Sequence, residues 1–302
     1  MTTTTSNTGV GAAADARRRT GLRVARPSLM GVIAYVILVL VAAAILIPIL
    51  YAILGGFKTN GQLAANPGEV LPNPWVFENY YDVLVGDNAL TFWGELGNSL
   101  VIVVIFVVVA VLFASLAAFV FARMQFRGRE ALFTLFVFGL LFPTAVAILP
   151  LFILLRNTGL TGTPLGVALP QAAFALPLTI VILRPFFRSI PAELEDAARI
   201  DGCSSFGFFW RVLLPLARPA LATVSVLAVV GTWNAFLLPL VVLNGADQWT
   251  LPLGAQNFST QFSSDQARIL AYTVVGLIPA LVFYAIAERQ LVGGLTSGAV
   301  KG

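Results

Sequence analysis

Residue types that commonly carry out catalysis are scarce in this chain of 302 residues. It has no histidine, a single cysteine (Cys203) and two lysines, Lys58 and Lys301. Because histidine is the usual near-neutral proton carrier and the commonest metal ligand, histidine-based catalysis and histidine proton relays are excluded. Neither lysine lies in a G-x-x-x-x-G-K-[ST] phosphate loop. We therefore predict no catalytic residue, no metal site and no cofactor on this chain, and no binding of ATP by a phosphate loop.

The segment 191–202 concentrates ionisable residues within the sequence PAELEDAARIDG. Glu193, Glu195 and Asp196 lie toward the start of a predicted helix, where the positive end of the helix dipole stabilises carboxylates. Glu195 and Arg199 are four residues apart in the favourable orientation for an ion pair. The pattern predicts a short helix whose charges stabilise the helix itself and do not form a catalytic pair.

A turn and a second helix are expected to follow this short helix. Gly202 can adopt the left-handed conformation that ends a helix, and Ser204 or Ser205 can cap the next helix. A small apolar face near the tip is formed by Leu194, Ala197 and Ala198. These properties fit two roles equally well: a projection that docks on a partner protein, or an amphipathic helix lying on a membrane surface.

The rest of the chain has the composition of a membrane-embedded protein. Apolar residues make up 58% of it and charged residues 11%, against roughly 25% charged residues in soluble domains. Crossing the hydrocarbon takes about 20 helical residues, and six charge-free runs of at least 19 residues meet or approach this length: 27–57, 96–122, 131–155, 157–183, 219–246 and 269–287. Six such runs in one chain of this length argue against the alternative that they are the buried helices of a soluble protein. We predict an all-α integral membrane protein with six transmembrane helices.

The positions of the basic residues predict the orientation in the membrane. Fifteen of them lie on one side, in the N-terminal tail, the loops after the second and fourth runs and the C-terminal tail, and three lie on the other. The positive-inside rule makes the first side cytoplasmic. We predict a disordered cytoplasmic tail over 1–26, a six-helix membrane domain over 27–292 with a cytoplasmic loop at about 189–218, and a cytoplasmic C-terminal tail over 293–302. The basic pI of about 9.6 then requires no nucleic-acid partner.

The cytoplasmic loop carries a motif with specific spacing. Asp196-Ala197-Ala198 is followed by Gly202 and then by Val212-x-Leu214-Pro215. This resembles the EAA loop of bacterial ABC-importer permeases, whose pattern is E-A-A-x3-G-x9-I-x-L-P. Two positions depart from the pattern, with aspartate for glutamate and valine for isoleucine, and both keep the charge or shape. The resemblance extends over nearly the whole chain after the N-terminal tail and is to the carbohydrate permeases of the maltose and glycerol-3-phosphate type.

The resemblance implies the type I importer fold and a set of partners in the bacterial inner membrane. Such a permease pairs with a second permease, binds two copies of an ATPase that holds ATP and Mg²⁺, and receives sugar from an extracytoplasmic binding protein. The residues implied to couple it to the ATPase are Glu195, Asp196, Ala197, Ala198, Asp201, Gly202 and Pro215. The C-terminal residues implied to reach the ATPase are Val300, Lys301 and Gly302. The chain itself would be a transporter subunit and not an enzyme.

Three residues in the fifth apolar run are candidates for the sugar path: Trp233, Asn234 and Phe236. Aromatic rings stack on sugar faces, and amides hydrogen-bond to hydroxyl groups. The alternative is helix packing, in which Asn234 makes an interhelical hydrogen bond worth about 0.6 kcal/mol or supports a helix loosened by Pro239. The sequence favours this alternative.

Two other functional classes fit the sequence poorly. A proton- or sodium-coupled transporter usually places ionisable groups at mid-membrane, and none of the six runs contains one. An intramembrane enzyme would need a catalytic pairing of serine, histidine or carboxylates, which the runs lack. Within ABC importers, the open alternative is a permease for another solute, such as glycerol phosphate, a polyamine or an amino acid.

The distribution of basic residues generates a prediction about topology. A reporter fused after Gly302 should be cytoplasmic, and one inserted near Asn73 should be external, because the charge bias orients the spans. An impermeant thiol reagent should label an Asn73→Cys variant in intact cells. Labelling that occurs only after lysis would contradict this topology.

Overall fold

The computed structural model describes residues 29–260 and 263–299, and these are almost entirely helical. The 1–26 tail and the terminal residues Val300, Lys301 and Gly302 lie outside the described residues. We number the main helices in chain order: α1 Leu29–Gly55, α2 Asn60–Ala65, α3 Glu78–Leu84, α4 Ala89–Arg123, α5 Arg129–Gly139, α6 Thr144–Asn157, α7 Pro164–Ser189, α8 Ala192–Ile200, α9 Ser205–Leu216, α10 Arg218–Trp233, α11 Leu237–Val242, α12 Leu251–Gly254 and α13 Gln266–Ala299. Within these ranges the one β-type pairing is an isolated bridge between Ser259 and Ser264.

The chain divides into two compact units, Met1–Leu50 and Tyr51–Gly302. The described part of the first unit is residues 29–50 of α1, which include Pro48. The second unit holds the remaining helices. Its buried side chains form three clusters, and the one that includes part of the 189–218 loop marks what we call the loop end of this unit.

The number of membrane-crossing elements agrees with the predicted fold class. Among the described residues, four helices are long and apolar enough to cross a membrane: α1, α4, α7 and the Gln266–Glu288 part of α13. Two bent pairs also qualify, α5 with α6 at 95° and α9 with α10 at 79°. Counting each pair as one span gives six.

Three of the predicted spans differ from the helices observed. The run 131–155 is divided at Pro143, which lacks the N–H needed to continue a helix. The run 157–183 starts as a turn with Gly159 and Gly162 at φ +71° and +70°, and its helix begins only at Pro164. The helix in the run 219–246 ends at Trp233, because Pro239 has no N–H for the carbonyl of Ala235 and its ring crowds that group.

Close packing of α4 against α7 organises the second unit. Ala110, Ala114 and Ala118 recur every four residues on α4 and are completely buried. Such a stripe of small residues lets two helix backbones approach closely in a membrane protein. The alanine positions of this helix are thus explained by packing.

A buried polar group joins three elements at the end of the bundle opposite the loop. The carboxylate of Glu95 on α4 is 1% exposed and accepts hydrogen bonds from Asn257 Nδ2 at 2.7 Å and from the hydroxyl of Tyr272 on α13. Nearby, the hydroxyl of Ser99 accepts the backbone N–H of Leu251 at 2.9 Å. These bonds fix the 251–258 segment to α4 and α13.

Gly254 leaves room for this polar group, which generates a stability prediction. A Cβ atom at Gly254 would overlap both Glu95 Oε2 and the Tyr272 hydroxyl, whereas one at Gly97 on α4 would meet nothing within 4 Å. We expect Gly254→Ala to cost about 1–3 kcal/mol through overpacking, and Gly97→Ala to be neutral or to stabilise by up to about 1 kcal/mol. Thermal unfolding of the purified variants measures both, and equal melting temperatures would contradict the proposed overlap.

Candidate functional site

The loop 189–218 is a helix, a turn and a second helix. The first turn of α8 contains Glu193 and Glu195, where the helix dipole stabilises them. Gly202 has a φ of +76°, the left-handed conformation that was predicted. Of the two candidate serines, Ser204 caps α9, because its hydroxyl accepts the backbone N–H of Gly207 at 3.1 Å. The turn is therefore fixed by one glycine and one serine.

The apolar face predicted at the tip of α8 is divided between the protein interior and the surface. Ala198 is only 9% exposed and lies in the loop-end cluster with Ile190 and Phe209. Leu194 and Ala197 are exposed. The small side chain of Ala198 therefore lets α8 pack closely against the chain's own helices, while the predicted role of this residue toward the ATPase stays a prediction.

The outward face of the loop combines apolar and acidic side chains. Ile200 is 87% exposed and Phe206 is 64% exposed, and both follow closely on the exposed Ala197. The neighbouring carboxylates of Asp196 and Asp201 are also exposed. An isoleucine this exposed is costly to hydrate in water, and the outward face of the loop carries it beside two exposed carboxylates.

Arg123 ties the loop to the end of α4. Its guanidinium donates to the carbonyl of Ile190 and lies 3.9 Å from the Glu195 carboxylate. Arg199 donates to the other oxygen of Glu195 at 2.7 Å, as the spacing predicted. The side chains of Arg123 and Glu195 are only 9% and 13% exposed. Arg123, at the end of α4, therefore hydrogen-bonds to the residue that follows α7 and forms an ion pair with Glu195 of α8.

A second arginine joins the ends of α5 and α7. Arg184 is 6% exposed and donates to both carboxylate oxygens of Glu130, at 2.5 and 2.7 Å. Its Nε donates to the carbonyl of Phe121 at 3.2 Å, and its guanidinium lies 3.8 Å from the centre of the Phe133 ring. Sequence reasoning used Arg123 and Arg184 only as indicators of topology. Their position at the ends of apolar runs is the signal that could have identified them as structural ties.

Pro215 lies where the chain turns from the loop back into the bundle. Residues Phe209–Leu213 wind as a π-helix just before Pro215, and α9 and α10 meet at 79°. Proline cannot donate to the preceding turn, and wide π turns often mark functional segments. Pro215 therefore helps to set the angle between the loop and α10.

The three candidate path residues line different cavities. Trp233 and Asn234 face a space of about 570 Å³ among α4, α10 and α13, together with Val104, Leu277 and Tyr284. Phe236 faces a separate space. The Asn234 side chain donates to the carbonyl of Val230 on its own helix at 2.9 Å. The structure thus does not bring the three residues to one site.

The cavity at Phe236 lies among α6, α7, α10 and α11. Its volume is about 530 Å³, and its lining includes Phe106, Gln171, Phe174, Gly231 and Thr232. Sequence reasoning did not single out Gln171 or Thr232. The sequence did offer one signal for Gln171, because it is an isolated glutamine within an apolar run.

Comparison with protein families identifies the chain. The family described as binding-protein-dependent transport system inner membrane component matches residues 110–290, more than half of the chain. The chain belongs to this family. The matched range contains all of α8, the glycine turn and α9, so the loop is part of the shared domain of the permease.

Curated relatives are similar over almost the whole permease. The diacetylchitobiose uptake system permease protein NgcG of Streptomyces coelicolor is 34% identical over 89% of this chain and 88% of its own length. The trehalose transport system permease protein SugB of Mycobacterium tuberculosis is 37% identical over 87% of this chain and 95% of its own length. These relatives are transporter subunits, so this multi-pass membrane protein is a permease and not an enzyme.

A solved structure shows the same fold. A chain from the crystal structure of a bacterial ABC transporter involved in the import of the acidic polysaccharide alginate has a TM-score of 0.74 to the permease at 24% identity. The match covers 86% of the permease and 95% of that chain. The permease therefore has the type I ABC importer fold.

The turn at Gly202 generates a prediction about the loop of the permease. A Cβ there would meet nothing within 4 Å, so a substitution acts through backbone strain alone. We expect Gly202→Val to destabilise the turn by about 1–2 kcal/mol and Gly202→Asn to cost less, because asparagine tolerates the left-handed region. Tryptic cleavage after the exposed Arg199 should be roughly tenfold faster in Gly202→Val. If trypsin cleaves both variants at the same rate, the left-handed backbone of residue 202 is not what stabilises the turn.

Proposed function

We propose that the permease is one of two pore-forming subunits of an ATP-driven importer of sugars or oligosaccharides. It pairs with a different permease subunit, rests on two copies of an ATPase and accepts solute from an extracytoplasmic binding protein. Both of its termini are cytoplasmic. ATP and Mg²⁺ are held by the ATPase, which agrees with the absence of a phosphate loop from this sequence.

The names of the relatives support a sugar as the solute. NgcG is named for uptake of diacetylchitobiose and SugB for transport of trehalose, and a further relative, AraQ of Halalkalibacterium halodurans, is named for arabinooligosaccharides at 34% identity. Glycerol phosphate, polyamines and amino acids are the competing solutes. The carbohydrate names favour sugars over them.

The observation that carries the proposed coupling is the outward face of the loop. Ala197, Ile200 and Phe206 expose apolar surface, and Asp196 and Asp201 expose carboxylates, along the loop, whose first helix forms an ion pair with Arg123 of α4. An ATPase that grips this face can pull on the membrane helices through that tie. Val300, Lys301 and Gly302 provide a second contact with the ATPase in this proposal.

Ile200→Glu tests the coupling face. Removing the exposed isoleucine and adding a carboxylate should abolish its burial in the ATPase, worth about 1.5–3 kcal/mol, and so reduce capture of the ATPase at least tenfold. Capture of the ATPase by tagged permease from membranes, together with uptake of labelled trehalose, diacetylchitobiose and arabinotriose, measures both consequences. We expect both to fall while the amount of permease in the membrane stays normal.

Leu90→Glu is the matched control, because Leu90 is 88% exposed at the end of α4 opposite Arg123. It should leave capture of the ATPase unchanged. Wild-type uptake by Ile200→Glu would refute the coupling role of this face. Failure of the wild-type importer to take up any neutral sugar would refute the assignment of the solute.

A further inference from the structure

Three arginines share a single carboxylate at the loop end of the bundle, where α5 lies beside the end of α7. Arg184 donates to both oxygens of Glu130, at 2.5 and 2.7 Å. Arg129 and Arg188 donate to Oε1 of the same carboxylate, at 3.1 and 3.2 Å. None of the three forms an ion pair with another carboxylate among the described residues. One negative charge therefore faces three positive charges, and the site carries a positive surplus.

Arg127 adds a further cation beside this group. It is exposed, and within the described part of the chain it has no hydrogen-bond or ion-pair partner. The residues on either side of it, Phe126 and Gly128, line an open cavity of about 350 Å³, and so does Glu130. Because Arg184 already occupies both oxygens of Glu130, an anion that enters this cavity meets a positive field. We call Arg127 and the three arginines around Glu130 the arginine cluster.

Apolar side chains lie directly beside the arginine cluster. Met124 and Phe126 in the loop before α5 are exposed, and so are Leu132 and Leu135 on α5 itself. The helix α5 begins at Arg129 and qualifies as part of a membrane-crossing pair with α6. Its first turn therefore lies where the hydrocarbon ends, at the depth of the lipid phosphate groups. Arginine suits this depth, because its guanidinium can hold a phosphate through two parallel N–H bonds.

The combination of cations and apolar surface favours a phospholipid over other anions. A soluble anion, or an acidic surface of a partner protein, would satisfy the arginines and leave Phe126 and Leu132 uncovered. A phospholipid satisfies both, since its phosphate adjoins its acyl chains. In the proposed orientation the cluster faces the cytoplasm. The cytoplasmic leaflet holds anionic lipids, and basic pockets between membrane helices on that side can bind their headgroups.

We propose that the arginine cluster is a binding site for the headgroup of an anionic phospholipid of the cytoplasmic leaflet, with Arg127, Arg129 and Arg188 as its cationic groups. Arg184 serves the site indirectly by holding Glu130. The inference rests on the proposed function for the orientation of the cluster and on nothing else in it. Since α7 runs directly into the coupling loop, a lipid held here stabilises the part of the bundle from which that loop projects.

Native mass spectrometry of the tagged full-length permease in detergent tests the site, with dioleoylphosphatidylglycerol and dioleoylphosphatidylcholine as probes. We expect the wild type to bind phosphatidylglycerol at least tenfold more tightly than phosphatidylcholine. The double variant Arg127→Gln/Arg188→Gln should bind phosphatidylglycerol at least tenfold more weakly, because one arginine near an anionic headgroup is worth about a fivefold change in affinity. Its binding of phosphatidylcholine should not change. Both side chains are exposed and Arg184 still pairs with Glu130, so the melting temperature should stay that of the wild type.

A second double variant, Arg156→Gln/Arg211→Gln, is the matched control. It removes the same charge at two exposed positions that do not line this cavity. It should bind phosphatidylglycerol as tightly as the wild type. Arg127→Lys keeps the charge and should retain most of the affinity.

The outcomes separate the possible occupants of the site. Equal weakening in both double variants would show a response to net charge alone and would overturn the site, as would unchanged binding in Arg127→Gln/Arg188→Gln. Displacement of phosphatidylglycerol by millimolar inorganic phosphate would show a site for a soluble anion and would also overturn the lipid. If the cluster variant keeps its lipid but loses capture of the ATPase, the cluster is a protein contact instead.

These measurements do not depend on sugar uptake, so the two proposals can fail separately. Loss of lipid binding by design in the cluster variant leaves the solute untested, and failure of the wild type to import any neutral sugar leaves the lipid site standing. External exposure of a reporter fused after Gly302 would instead contradict the assignment to the cytoplasmic leaflet.

Discussion

Hydrocarbon cannot hydrogen-bond to a peptide group, and this constraint governs the whole structure. Each membrane-crossing segment must satisfy its own backbone as a helix, because an unpaired group in lipid costs several kcal/mol. Proline breaks that rule locally, and the chain places two such breaks, near Pro143 and Pro239, beside one cavity. The breaks in the third and fifth spans therefore lie beside the same cavity.

The same constraint decides where the charges lie. The arginines nearest the bundle interior are at helix ends, and each is paired: Arg184 with Glu130 and Arg123 with Ile190 and Glu195. A charge-assisted hydrogen bond is roughly twice as strong as a neutral one, so these pairs stabilise the loop end. On the proposed function, they pass a displacement of the loop to α4.

Much of this arrangement followed from the sequence, and the failures have physical causes. Apolar runs predicted the spans, and local chemistry predicted the left-handed Gly202 and the pair between Glu195 and Arg199. The helix breaks were missed because a run of apolar residues looks the same whether its helix is straight or bent. The packing of Ala198 against the bundle was missed because a small apolar residue suits an external socket and an internal helix contact equally. The cavity was missed because its lining comes from helices far apart in the chain.

The loop and the cavity are connected by a single helix. α10 begins at Arg218, just after the bend that follows the loop, and ends beside the cavity with Gly231 and Thr232. Its 16 residues span about 24 Å. A helix of this length moves as a rod, so a change of the angle at Ala217 displaces its far end more than its near end. On the proposed function, closure of the ATPase on Ile200 turns this helix, and the residues at its far end, next to Trp233, are displaced most. The bend at Ala217 and the break after Trp233 then bound one helix that turns as a single piece.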